Sequence, residues 1–106
     1  MAYGYVLDAL GDPTRRQIFD RLRHTPSSVA ALAGGLPISR PAVSQHLKIL
    51  KQAGLVTDQA QGARRIYRVD YGGLLDLRAW LDGFMEEGRG AYEAEIQEQI
   101  DERKST

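Results

Sequence analysis

The 106 residues suit a single domain, and 42% hydrophobic with 26% charged residues is typical of a folded globular protein rather than a disordered or membrane one. No apolar run approaches the roughly 20 residues that span a bilayer, and the N-terminal residues lack the pattern of a signal peptide. Cysteine is absent, which excludes disulfides and thiol chemistry, and we expect a cytoplasmic protein without a membrane partner.

The formal net charge is zero, which by itself argues against a nucleic-acid partner. The charges are unevenly distributed, however. Residues 39–68 carry six basic side chains against one acid, Asp58, whereas residues 86–104 carry seven acids and three bases. A basic middle segment favours contact with phosphate, and the acidic segment is expected to be the solvated face of a helix.

The chain begins with two predicted helices. An apolar segment at residues 3–10 ends at Gly11, and Asp12 then caps a second helix whose first position is Pro13. This second helix is expected to end near residue 24. Its two faces are predicted to carry Ile18, Phe19 and Leu22 on the apolar side and Arg15, Arg16 and Arg21 on the solvent side.

Two further helices follow, with a Gly- and Pro-bearing turn between them. Ser27 or Ser28 can cap the third helix, which Gly34 ends, and Ser39 is the predicted N-cap of the fourth. The spacing in the fourth helix predicts one apolar stripe, formed by Val43, Leu47 and Leu50. The opposite face is polar and presents Pro41, Ser44, Gln45, Lys48 and Gln52.

A β-hairpin and a long helix complete the pattern. Residues 55–57 and 65–69 are predicted strands, joined through a turn at Gln61-Gly62-Ala63. Helical spacing returns after Gly73 and continues past Gly88 in an apolar series of Leu74, Leu77, Leu81, Phe84 or Met85, Tyr92, Ile96 and Ile100.

These elements predict a mainly α fold with a small β-hairpin, a winged helix-turn-helix in the order α-α-α-α-β-β-α. We assign residues 1–106 to one domain. Its parts are the N-terminal helices at 1–24, the helix-turn-helix at 27–54, the β-wing at 55–70, and the C-terminal dimerisation helix with its acidic tail at 72–104.

The polar face of the fourth helix predicts a reader of the DNA major groove. Gln45 can bond an adenine edge at two points, and Lys48 and Arg40 can neutralise phosphate or reach guanine. The hairpin arginines suit a neighbouring minor groove, since we expect no acid near them. The predicted DNA-binding residues are Ser39, Arg40, Pro41, Ser44, Gln45, His46, Lys48, Arg64, Arg65 and Arg68. His46 flanks the apolar stripe, so a partly buried positioning role and a direct DNA contact both stay open.

Four segments resemble the ArsR family of winged-helix repressors, namely residues 9–18 (ALGDPTRRQI), 39–50 (SRPAVSQHLKIL), 53–56 (AGLV) and 65–69 (RIYRV). The likeness covers about residues 3–85. It implies a bacterial homodimer that occludes an inverted-repeat operator in double-stranded DNA and pairs through its first and last helices. The expected interface residues are Tyr5, Val6, Leu74, Leu77, Trp80, Leu81 and Phe84. Filling this seam is the favoured role of Trp80 and Phe84, and lining an inducer pocket is the alternative.

Many members of that family sense metals, and this sequence departs from their pattern. The resemblance places thiolate ligands around the third helix, where this chain has residues 27–31 (SSVAA), and residues 72–106 contain no histidine for the second family site. His24 and His46 lie far apart in sequence. We therefore expect the metal-free subgroup, indicated in part by Pro41 and Trp80, with no metal or other cofactor and an unknown inducer.

Neither a catalytic set nor a phosphate-binding loop is recognisable, so we do not expect an enzyme. The alternative to a repressor is a winged helix that has lost DNA binding and serves as a dimerisation or docking module. Such a module need not keep the outer face of its fourth helix polar and basic. Because this face is both, the sequence favours the DNA-binding protein.

Overall fold

The computed structural model describes residues 2–105, so the two ends of the predicted domain, residues 1 and 106, lie outside the described residues. The elements are α1 (Ala2–Gly11), α2 (Pro13–His24), α3 (Val29–Gly34), α4 (Arg40–Gln52), β1 (Val56–Gln61), β2 (Arg64–Val69) and α5 (Gly72–Ser105). This order confirms the predicted mainly α fold with one hairpin. Within residues 2–105, no helix combines the length and apolar character needed to cross a membrane.

Short polar side chains fix where the central helices begin. The Asp12 carboxylate accepts a hydrogen bond from the backbone N–H of Thr14 at 2.9 Å, and Pro13 follows it as predicted. Ser39 Oγ accepts from the N–H of Ala42 at 3.3 Å at the start of α4. Of the two serines considered for α3, Ser28 is the cap. These caps satisfy N–H groups that have no partner inside the helix.

One hydrophobic core joins the helices to the base of the hairpin. The predicted stripe of α4, Val43, Leu47 and Leu50, is fully buried and lies at its centre. The buried residues of the other elements are Val6, Ala9, Ile18, Leu22, Leu32, Ala53, Leu55 and Val56. Burial of each large apolar side chain contributes about 1.5–3 kcal/mol, so this core fixes α4 against the rest of the protomer.

The predicted solvent-facing position of Arg15 on α2 is not observed. Arg15 was expected to face solvent with Arg16 and Arg21, but its side chain is only 14% exposed and lies 3.2 Å from the Asp12 carboxylate. Helical periodicity assigns residue 15 to the polar side. The prediction was wrong because the capping carboxylate one turn earlier pairs with the guanidinium and draws it inward.

The hairpin is longer than predicted. The first strand was expected at residues 55–57 but runs from Val56 to Gln61, and the second begins at Arg64 instead of Arg65. The strands pair antiparallel from Val56 opposite Val69 to Gln61 opposite Arg64. Most side chains of β1 beyond Val56 are exposed, so its sequence shows little apolar signal and cross-strand bonds define its length. Gly62 supplies the positive φ of 65° in the tight turn.

Helix α5 is continuous for 34 residues and passes through Gly88 and Gly90 without a break. Asp70 Oδ1 accepts a hydrogen bond from the N–H of Gly72 at 2.9 Å at its start. Every described side chain from Arg78 to Lys104 is exposed in the protomer. A helix of this length spans about 51 Å, so most of α5 projects from the protomer core.

Candidate nucleic-acid interface

The outward face of α4 is polar and open to solvent. Ser44, Gln45 and Lys48 are exposed on the side opposite the buried stripe, as the helical spacing predicted. Within residues 2–105, their side chains make no hydrogen bond or ion pair to the protein. Their donors and acceptors are therefore available to base edges and phosphates.

The N-terminal end of α4 adds a cation and a defined helix start. Arg40 is the first helical residue, and Pro41 occupies the first turn, where a missing N–H costs nothing. Ser39, Arg40 and Pro41 are all exposed. The free N–H groups and partial positive charge at this end of the helix favour a phosphate oxygen.

His46 lies at the margin of this surface and points towards α2. Its side chain is 19% exposed, and Nδ1 lies 4.0 Å from Oδ2 of Asp12. Nδ1 is buried and has no hydrogen-bond partner among the described residues. His46 is therefore partly buried, as one of the two predictions for this residue had it. A role of His46 in DNA binding stays a prediction.

Asp12 holds the start of α2 beside the middle of α4. Partial burial acts to raise the pKa of its carboxyl, but backbone hydrogen bonds from Thr14 and Arg15 and the charge of Arg15 lower the pKa below its ordinary value of 3.8. The carboxylate is therefore ionised at neutral pH. It provides a fixed negative charge beneath α4 and not on its outward face.

Backbone bonding anchors the wing to the helical body. The N–H of Ser27 donates to the carbonyl of Tyr67 at 3.0 Å, and the N–H of Tyr67 donates to the carbonyl of Ser27 at 2.9 Å. Ser27 thus acts as a short third strand beside β2 and does not cap α3. The start of α3 is thereby fixed against the strand that carries Arg64, Arg65 and Arg68.

The wing and α4 meet at one open groove of about 580 Å³. Its cationic lining comes from Arg40 at the start of α4 and from Arg64 and Arg65 on β2, and its floor comes from the first residues of α3. Arg68 is exposed on β2 but does not line this groove. The structure therefore brings together three of the predicted cationic residues from segments more than twenty positions apart.

Arg65 corrects the expectation that no acid lies near the wing arginines. The Asp58 carboxylate accepts a hydrogen bond from Nε of Arg65 at 2.6 Å. It forms a second ion pair with Nζ of Lys51, also at 2.6 Å. Hydrogen bonds from Lys51 and Arg65 hold the pKa of Asp58 below its ordinary value of 3.8. The same carboxylate raises the pKa of Arg65. Part of the positive charge counted in the sequence is thus balanced inside the protein.

Sequence reasoning missed Asp58 and Lys51 as partners of the wing. Ala60 is opposite Arg65 in the hairpin, and Asp58 is two residues away on the same face. A cross-strand diagonal of this kind lies within reach of a long side chain. The pairing of Asp58 with Arg65 could not be predicted because the sequence indicated that β1 ends at Thr57, one residue before Asp58.

A family model described as a helix-turn-helix domain matches residues 10–59. The HTH-type transcriptional regulator Rv2034 of Mycobacterium tuberculosis is 58% identical over 76 residues, which cover 72% of this chain and 71% of that protein. The transcriptional repressor SdpR of Bacillus subtilis is 36% identical over 83 residues, covering 78% of this chain and 92% of that protein.

Solved structures share the fold. An ArsR-like transcriptional regulator from Rhodococcus sp. RHA1 superposes with a TM-score of 0.78 at 31% identity and covers 91% of each chain. The chain belongs to the ArsR family. A homodimeric winged helix-turn-helix DNA-binding domain from Mycobacterium bovis, a possible ArsR-family regulator, has a TM-score of 0.65 at 29% identity, covering 81% of this chain and 80% of that one.

Because the chain belongs to the ArsR family, its function is transcription regulation through DNA binding and not catalysis. The matched residues 10–59 include the whole of the α3–α4 pair, which we predict to be the DNA-binding part together with the hairpin. The exposed face of α4 and the arginine-lined groove together form what we call the DNA-facing surface: Ser39, Arg40, Pro41, Ser44, Gln45, Lys48, Arg64 and Arg65.

The residues expected at a subunit interface fall into three sets by their burial in the protomer. Trp80, Leu81, Phe84 and Tyr5 are exposed on α5 and α1, and the rings of Trp80 and Phe84 stack with centroids 6.1 Å apart. Leu74 and Leu77 are half-buried against the protomer core. Val6 is fully buried within the protomer, so its side chain has no surface to offer a partner, and we exclude it from the proposed interface.

Proposed function

We propose that this ArsR-family regulator is a sequence-specific repressor that binds a palindromic operator as a homodimer. The observation that carries the proposal is the DNA-facing surface, where the unbonded polar face of α4 continues into a groove lined by Arg40, Arg64 and Arg65. A docking module has no need for such a surface, since cations such as Arg40 and Arg64, which have no acidic partner among the described residues, reduce stability by mutual repulsion.

In this proposal α4 enters the major groove. Gln45 bonds the edge of an adenine, Ser44 bonds a base or a phosphate, and Lys48 neutralises phosphate or reaches guanine. The wing follows the flanking minor groove, with Arg64 and Arg65 against the backbone. His46 is retained as a residue that positions α4 from below, and Arg68 as a peripheral contact on the exposed side of β2.

The homodimer is supported by the surface of α5. Leu81 is 43% exposed and Phe84 64% exposed, and the apolar series continues through Tyr92, Ile96 and Ile100. Each glycine inside a helix costs about 1 kcal/mol relative to alanine, so a projecting helix with several of them needs packing to persist. A second copy of α5, together with Tyr5 of α1, supplies that packing. The homodimeric neighbour from Mycobacterium bovis supports the same assembly.

Two-fold symmetry then determines the form of the operator. Two α4 helices related by a dimer axis contact half-sites about 34 Å apart, one helical turn of DNA, and read the same sequence in opposite directions. The bound dimer occludes the DNA from transcription, which makes it a repressor. The name of the Bacillus subtilis relative supports repression over activation.

The residues of this chain do not fit the metal sites of its relatives. The 106 residues contain no cysteine, and the two histidines lie on different helices, His24 on α2 and His46 on α4. His24 is exposed at the end of α2 beside Arg23, and His46 faces Asp12. A transition metal requires several converging nitrogen, sulfur or carboxylate ligands. We therefore propose a repressor whose inducing signal is not a metal held at those sites.

Selection of bound DNA from a random pool tests the proposal. We expect the purified protein to enrich a palindrome with two half-sites about one helical turn apart. Enrichment of a single asymmetric site would contradict the homodimer, and no enrichment by a folded dimer would contradict sequence-specific binding and favour the docking module.

A further inference from the structure

One carboxylate connects the recognition helix to the wing. Asp58 of β1 has a side chain only 5% exposed, although it lies on a hairpin whose neighbouring residues are open to solvent. Its Oδ1 pairs with Lys51 Nζ in the last turn of α4, and its Oδ2 pairs with Arg65 Nε in β2, each at 2.6 Å. These are short, charge-assisted contacts, stronger than neutral hydrogen bonds. They join three elements that the chain connects only through turns.

The bond to Asp58 uses only one edge of the Arg65 guanidinium. Nε is the donor, and Nη1 and Nη2 make no hydrogen bond to any described residue. The Arg65 side chain is 60% exposed and lines the groove shared with Arg40. A guanidinium has five N–H donors in a rigid fork, so Nε can be held by the protein while the terminal nitrogens bind a second anion.

We propose that Asp58 is a positioning residue for DNA binding, which orients the terminal nitrogens of Arg65 towards the phosphate backbone and ties the wing to the end of α4. The inference rests on the proposed function. A long side chain that is already oriented loses less conformational freedom when it binds. The ion pair with Lys51 joins the same carboxylate to the last turn of α4.

The opposite interpretation assigns Asp58 a simple electrostatic effect. A carboxylate beside a DNA-facing surface repels phosphate, and its removal would free two cations and strengthen binding to every DNA sequence. The two interpretations therefore predict opposite signs for Asp58→Asn. That substitution preserves the size of the side chain and removes its charge.

The experiment measures dissociation constants by fluorescence anisotropy on the selected palindrome and on a shuffled duplex. Four full-length proteins are compared: wild type, Asp58→Asn, Arg65→Ala and the double variant. Asp20→Asn is the matched control, since it removes one charge from an exposed carboxylate that, among the described residues, pairs only with Arg23 of its own helix. Asp58→Glu tests whether a restored carboxylate recovers binding. Thermal unfolding in parallel reports whether each variant folds.

We expect Asp58→Asn to weaken binding to the palindrome and to the shuffled duplex alike, by about tenfold, because the contact of Arg65 with phosphate does not depend on DNA sequence. In the Arg65→Ala background the effect of Asp58→Asn should shrink to within about twofold, because independent sites add and coupled ones do not. Asp58→Glu should recover part of the affinity for both duplexes, and Asp20→Asn should bind both duplexes as tightly as the wild type.

Three results would overturn the inference. Tighter binding of Asp58→Asn to both duplexes would show a repulsive charge only. An undiminished loss in the Arg65→Ala background would show that Asp58 acts through the fold and not through Arg65. Wild-type affinity of Asp58→Asn for both duplexes would show no positioning role. Failure of the wild type to discriminate at all would contradict the proposed function itself.

Discussion

Arg21 of α2 donates a hydrogen bond from Nη2 to the backbone carbonyl of Gly35 at 2.7 Å. The bond joins the end of α2 to the turn that precedes α4, across fourteen positions of sequence. A side chain on Gly35 would collide with the Arg21 guanidinium, so the glycine leaves room for this contact. The position of α4 thus depends on a polar contact at the surface as well as on its own buried stripe.

Arg21→Ala should loosen this turn. We expect a loss of about 0.5–1.5 kcal/mol in the free energy of unfolding, the net value of one hydrogen bond, and faster amide exchange at Gly35, Leu36, Ile38 and Ser39. Arg16→Ala is the matched control, because Arg16 is exposed on the same helix and has no hydrogen bond or ion pair within residues 2–105. Equal exchange rates in both variants would contradict a role for Arg21 in holding the turn.

Gly73→Ala should destabilise the protein by about 1–3 kcal/mol, the usual cost of overpacking. A Cβ at this position would lie 2.6 Å from the carbonyl oxygen of Ala53 and 2.9 Å from that of Gly54, and backbone atoms cannot move aside as a flexible side chain can. Thermal or urea unfolding measures the change.

Gly34→Ala provides the comparison for Gly73→Ala. Gly34 ends α3 without a positive φ, and a Cβ there meets no described atom within 4 Å. We expect the stability of that variant to remain within about 0.5 kcal/mol of the wild type. If both alanine variants were equally stable, α5 would not begin in close contact with the α4–β1 turn.

Local signals in the sequence predicted most of the fold. Asp12, Ser39 and Gly62 were assigned correctly as caps and turn residue because their requirements are local, a side-chain acceptor or a positive φ. The stripe of α4 followed from its spacing, and with it the exposed polar face. Those features placed the main part of the candidate site before any contact was known.

Long-range polar contacts were not predictable in the same way. Arg15 and Arg65 belong to polar faces by periodicity, yet each is drawn to a carboxylate, Asp12 or Asp58, whose position depends on the folded chain. The length of β1 depends on bonds to β2, since its own residues carry little pattern. The continuity of α5 past Gly88, by contrast, follows the apolar spacing of the sequence although glycine is unfavourable inside a helix.

Leu81→Asp should convert the proposed homodimer to a monomer. Leu81 is 43% exposed in the protomer, so the substitution leaves the core intact, and a carboxylate buried without a partner at the interface is strongly unfavourable. Analytical ultracentrifugation measures the mass. Leu77 is less suitable for this test because it also packs against the protomer core.

Leu75→Asp is the control for Leu81→Asp. Leu75 is 60% exposed on the same helix but lies away from the stripe that contains Leu81 and Phe84. We expect this variant to remain dimeric. A dimeric Leu81→Asp protein would place the interface elsewhere. If Leu75→Asp were at the same time monomeric, the interface would lie on the face of α5 that carries Leu75.

The contribution of Asp58 to the free energy of unfolding should be lost in acid. Because hydrogen bonds from Lys51 and Arg65 hold its pKa in the folded protein below the ordinary value of 3.8, the contribution is fully present above that value and is lost as pH falls through the lowered folded pKa. The difference in unfolding free energy between wild type and Asp58→Asn should therefore be constant from about pH 5 to 7 and shrink in stronger acid. A difference that did not change in acid would show that the ion pairs contribute nothing.

The most direct test of the account compares wild type, Gln45→Ala and Arg64→Ala on the selected palindrome and on shuffled DNA at two salt concentrations. We expect Gln45→Ala to lose about 1–3 kcal/mol of discrimination per half-site, while Arg64→Ala weakens both duplexes similarly and flattens the salt dependence. Equal losses from both substitutions on both duplexes, or wild-type binding that does not change with salt, would contradict a repressor that reads DNA through α4 and holds it through the wing.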